Sequence, residues 1–133
     1  MMKTIKTLAL IAVFLVAGKI NAQSVTEKWP AIKAFHEVMS RTFHPSENGD
    51  LKPLRAESQL LFDRAMDLTK SEVPKEFQTK AIMESVQRLQ EKTREVNKLV
   101  VGKGPDDSLT RAIGEAHDIF HEIVGMCSKT EKH

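Results

Sequence analysis

Histidine is the residue type whose spacing in this chain could support chemistry. Of the 5 histidines, His36, His44, His117 and His121 fall on or at the edge of two segments with helical periodicity, one early and one late. His117 and His121 are four positions apart, which on a helix separates them by about 40° in azimuth and roughly 6 Å along the axis. Two imidazoles so placed can share one metal ion. If the early and late helices run antiparallel with their midpoints level, His36 lies beside the pair and supplies a third nitrogen, with His44 as the fourth candidate. Such a donor set suits zinc, copper or nickel better than the oxygen-preferring magnesium or calcium. Met39, one turn beyond His36, is a soft ligand that would move the preference toward copper. Glu37 and Glu122 directly follow histidines and could act as outer partners of the ligands.

A plainer reading stands beside this one. Helical histidines commonly sit on surfaces or satisfied interfaces, and His44, before Pro45, is placed to cap a helix C-terminus, where the dipole favours an imidazolium. Met39 and Cys127 fall in apolar stripes and read first as core, while His133 lies in a charged tail. Catalytic patterns fail by inspection. His36-Glu37 and His121-Glu122 each begin H-E-x-x-H, but Ser40 and Gly125 stand where the second histidine would be needed. There are no paired E-x-x-H repeats of a di-iron bundle, no C-x-x-C-H for covalent haem and no glycine-rich phosphate loop. The chain therefore reads as a binding protein rather than an enzyme.

The elements that must position these residues are helices, because apolar residues recur at steps of three and four and Pro and Gly fall mainly between the periodic segments. A first helix is expected from about Trp29 to Phe43, stopped by His44-Pro45, with Ile32, Phe35, Met39 and Phe43 inward. A second, from about Leu51 to Thr69 after an Asp50 cap, carries Leu51, Leu54, Ser58, Leu61, Ala65 and Leu68. The third spans about Thr79 to Val101, with Ile82, Val86, Leu89, Thr93, Val96 and Val100, and ends at Gly102 and Gly104-Pro105. The fourth starts at Asp106-Asp107, turns Leu109, Ile113, Ala116, Phe120, Val124 and Cys127 inward, and finishes before Ser128. Ser58 and Thr93 interrupt apolar seams; each could bond its own helix backbone or form a polar layer, with Glu57 the nearby carboxylate. Short connections between the four predict an all-α, antiparallel up-down-up-down four-helix bundle. Phe35-His36-Glu37-Val38 and Phe120-His121-Glu122-Ile123 echo each other on the first and last helices, which are neighbours in such a bundle.

The N-terminus reads as a secretory signal peptide. Lys3 and Lys6 precede the apolar run Leu8 to Ala17, followed by Gly18-Lys19-Ile20-Asn21-Ala22, and cleavage after Ala22 is expected. The run is far shorter than the roughly 20 residues that span a bilayer. Residues 1–22 are thus the signal and residues 23–133 the domain, with no transmembrane segment in the mature chain. Removal of Lys3, Lys6 and Lys19 turns 20 basic against 18 acidic residues into 17 against 18, so the whole-chain pI near 8.7 belongs largely to the signal. The mature domain lacks the basic excess of a nucleic-acid binder. The single cysteine cannot form an intrachain disulfide, leaving the core or a ligand to hold the domain in the periplasm or outside the cell.

In length and helix count the chain resembles the small periplasmic four-helix bundles of the cytochrome b and cytochrome c′ type, including haem-free metal-binding bundles. The b-type members hold haem iron between a methionine on the first helix and a histidine on the last, roles that the resemblance assigns to Met39 and to His117 or His121. The stretch Phe35 to Pro45 also resembles the F-H-x-x-M-x-x-T-F-H-P segment of a group of exported proteins. The expectation is an exported bundle that binds, buffers or senses a transition metal ion through His36, His44, His117 and His121. The alternatives are a non-covalent haem b protein using Met39 and His121, and a metal-free interaction or stress protein. A homodimer is left open.

Overall fold

The computed structural model describes residues 25–131. The signal-peptide reading and His133 lie outside them. The described chain is all-helical: a helical turn at 25–28 leads into α1 (Pro30–Glu47), followed by α2 (Lys52–Lys70), a 3₁₀ turn (Lys75–Phe77), α3 (Lys80–Val101) and α4 (Asp106–Glu131). There is no strand among the described residues.

Each long helix packs on the next, and α1 meets α4 along a sparser seam. Side-chain hydrogen bonds give the register. Ser58 Oγ donates to Asn97 Oδ1 (2.9 Å), and Gln90 Nε2 donates to the carbonyl of Ala65 (3.0 Å), so α2 and α3 run in opposite directions. Between α3 and α4, Arg88 pairs with Glu122, and Lys92 with Glu115 at 2.6 Å, again in antiparallel order. The Lys92 ammonium beside it holds the Glu115 carboxyl below its usual range, and Glu115 and Glu95 together push Lys92 up.

The core follows the expected stripes closely. Ile32, Phe35 and Met39 of α1, the α2 seam from Leu54 to Leu68, and Ile82 to Val96 of α3 are buried. On α4, Leu109, Ile113, Ala116, Phe120 and Cys127 face inward, but Ile123 rather than Val124 fills the last layer, with Val124 only partly buried. Phe43 and Val100, at the ends of their helices, are also only partly covered. Trp29 and Phe77 stack at 5.9 Å between ring centroids and close one end. Of the two seam hydroxyls, Thr93 bonds its own helix through the Gln90 carbonyl, whereas Ser58 crosses to α3. The Glu57 carboxylate takes two hydrogen bonds from the Arg41 guanidinium, at 3.0 and 3.2 Å, which lowers its pKa.

One boundary differs from expectation in a way that matters for the site. α1 does not stop at His44-Pro45 but continues through Pro45 to Glu47. Pro45 lacks the N–H that would bond the Arg41 carbonyl, yet this falls in the last turn of the helix, where the interruption is least costly. The real stop is a Schellman closure. Asp50 N–H bonds the Pro45 carbonyl and Gly49 N–H bonds the Ser46 carbonyl, both at 3.0 Å, while Gly49 takes φ of 82°, the left-handed conformation open to glycine. α2 then begins one residue later than expected, with the Asp50 carboxylate accepting from Lys52 N–H. The α3 start is as expected, Thr79 Oγ1 accepting from Ile82 N–H. α4 runs on through the polar residues after Cys127 to Glu131.

A histidine pair on the last helix as candidate metal centre

The α1–α4 seam is bridged by rings. Phe35 and Phe120, the phenylalanines of the sequence echo, meet in the core with centroids 5.3 Å apart. Outside this contact two histidine–phenylalanine stacks cross the seam in reciprocal order. His36 of α1 lies flat on Phe120 of α4 (5.6 Å, 10° between planes), and Phe43 of α1 lies flat on His117 of α4 (3.7 Å, 8°). The closer Phe43 stack holds the orientation of the His117 ring and covers one of its faces.

His117 and His121 are drawn together as their spacing requires. Their Nε2 atoms are 3.1 Å apart and their rings stand nearly perpendicular, at 78°. One Nε2 must carry a proton and donate it, while the other accepts through its lone pair. The pair thus shares one proton between two nitrogens. His117 is partly buried and His121 exposed. The His117 imidazole is held below its ordinary pKa, first by that burial and then by the neighbouring His121, with His44 adding to the effect; Asp118 and Glu47 oppose it.

The other two histidines do not join the pair. His36 is exposed and occupied with Phe120; it borders a shallow concavity with Glu37, Ser40 and Arg41. His44 is exposed and its Nδ1 bonds Glu47 Oε1 at 3.2 Å. Among the described residues no group of three His, Cys, Asp or Glu side chains is close enough to hold a metal ion. Glu122, which sequence placed beside His121 as an outer partner, instead turns to α3, where it accepts from Arg88 and from Ser85 Oγ. Of the two positions in the haem alternative, Met39 is buried in the core, 1% exposed, and His121 is at the surface.

Two members of this site are not apparent from sequence. Phe43 reads as core but acts as the platform for His117. Glu47 reads as loop, yet the continuation of α1 through Pro45 places it one turn beyond His44 and within electrostatic reach of His117. The glycine at position 49 is the sequence signal for that longer helix. A concavity of about 810 Å³ lies elsewhere, along α3, and is lined by alternating charges such as Arg88, Glu91, Lys92 and Glu95, several already paired.

Compared with family models, curated proteins and solved structures, the chain matches none.

Proposed function

We propose that this is an exported up-down-up-down four-helix bundle that binds a transition metal ion through His117 and His121, for binding, buffering or sensing rather than turnover. The observation that carries the reading is the 3.1 Å separation of the two Nε2 atoms. With metal–nitrogen bonds of about 2.0–2.1 Å, that separation corresponds to a ligand–metal–ligand angle of roughly 100°, between square-planar and tetrahedral values. Binding an ion requires the Nε2 proton of one ring to move to Nδ1 of that ring and the exposed His121 ring to turn about χ2. Because the His117 pKa is lowered, its lone pair is free of a competing proton to lower pH than an ordinary imidazole. The Phe43 stack limits the ring's freedom before any ion arrives, which reduces the ordering cost of binding.

Export is supported by the basic, apolar and small-residue layout of residues 1–22, and the bundle topology by the antiparallel registers of successive helices. Protein purified without a histidine tag from the periplasm should contain zinc, copper or nickel in fixed ratio to chain, with no haem absorption. A Soret band would assign the protein to haem instead, and the absence of both would make it a metal-free interaction protein.

A further inference from the structure

We infer that the His117–His121 pair is half of a zinc site, completed by the same pair from a second copy of this chain, so that the ion bridges two molecules. This rests on the metal-binding reading above and names the partner it implies.

Zinc prefers four ligands in tetrahedral array when a site is closed. The described residues of one chain offer two here. Several neighbouring groups are engaged elsewhere: His44 with Glu47, Glu122 with Arg88 and Ser85, and His36 against Phe120. No three-residue ligand set occurs among the described residues. The open side of the site faces solvent, because His121 lies on the exposed surface of α4. Two copies related by a two-fold axis through the ion would present two pairs, four imidazole nitrogens in all, and such an isologous contact closes on itself as a dimer.

Charge makes this association depend on the ion. Glu47 and Asp118 stand within electrostatic range of His117. A two-fold contact about the pair would bring the carboxylates of both copies toward one another, and like charges brought together oppose association. A divalent cation at the axis offsets that repulsion. Among the described residues the only large hydrophobic side chain left well exposed is Val101, at the C-terminal end of α3.

The test is sedimentation velocity of untagged protein titrated with zinc chloride near neutral pH, with bound zinc measured in parallel by calorimetry. Mass should double as zinc approaches half an equivalent per chain and return to monomer with EDTA. It should fall again in zinc excess, when each pair can take its own ion. His117→Ala and His121→Ala, both at surface-accessible positions, should remain monomeric throughout with unchanged helical circular dichroism. Zinc bound at one per chain with no change in mass would overturn the bridge and leave the metal-binding reading standing. Loss of zinc binding in His44→Ala would show a site closed within one chain and equally overturn it. A dimer that persists in EDTA would show an interface independent of the ion. No zinc bound at all would remove the bridge together with the reading beneath it.

Discussion

Lys103 should be replaceable by glycine with a gain in stability. α3 ends in a second Schellman closure, in which Gly104 N–H bonds the Leu99 carbonyl at 2.7 Å and Lys103 N–H bonds the Val100 carbonyl at 3.0 Å. The residue at the left-handed position is Lys103, with φ of 54°, although glycines flank it on both sides. A side chain in that conformation costs roughly 1–2 kcal/mol. Glycine removes this but adds about 0.5–1 kcal/mol of backbone entropy lost on folding. The net expectation for Lys103→Gly is a gain of about 0.5–1 kcal/mol, or roughly 2–6 °C in Tm for a domain of this size. Lys103 is exposed, so little else is lost. Urea unfolding of parent, Lys103→Gly and Lys103→Ala measures it, with Lys103→Ala expected within about 0.5 kcal/mol of the parent. If Lys103→Ala stabilised as much as Lys103→Gly, or if Lys103→Gly destabilised, the closure would not be strained as argued. By contrast Gly104 should resist substitution, since a Cβ there would come within 3.1 Å of the Leu99 carbonyl oxygen.

Further outcomes follow from the same contacts. Ser58→Ala and Asn97→Ala should each destabilise by about 1 kcal/mol, and a double-mutant cycle should return a coupling of about 0.5–1.5 kcal/mol; a coupling near zero would mean that their 2.9 Å hydrogen bond contributes nothing. In the metal-free protein the lowered His117 pKa means that the unfolded chain binds the proton more readily, so this contribution to stability is complete above about pH 6.5 and is lost as pH falls through the folded-state value. Chemical denaturation across that window should show the loss, and His117→Gln should flatten it; an unchanged slope would contradict the assignment. Phe43→Ala uncovers the imidazole and should raise the His117 pKa in an NMR titration, whereas no movement would show that the stack does not contribute to its burial. Intact mass of exported protein should begin at Gln23, and retention of Met1 would defeat the signal-peptide reading.

The helices were legible because each carries a continuous apolar stripe, and the residues on those stripes are the buried ones from Ile32 to Cys127. Their ends were less so. Pro45 reads as a stop, since proline cannot continue a hydrogen-bond ladder, but a last turn has carbonyls without helical partners in any case, and Gly49 sets the true end. Ile123 rather than Val124 fills the last α4 layer because the alternating steps of four and three from Leu109 continue unbroken through 113, 116, 120, 123 and 127, a strict seven-residue repeat. For the site, spacing within one helix was sufficient: positions 117 and 121 had to meet. What lies between helices was not. Sequence placed His36 level with the pair, but level does not set ring direction, and Phe120 takes the face of His36 as Phe43 takes that of His117.

Calorimetric titration of untagged protein with zinc and copper, set against His117→Ala and His121→Ala, tests the central claim most directly. The account predicts saturable binding in the parent that weakens below about pH 6 and is abolished by either substitution, with helical content unchanged. Equal affinity in the parent and in His117→Ala would contradict it and leave the pair, with its 3.1 Å nitrogen contact, as a structural hydrogen bond on the surface of α4.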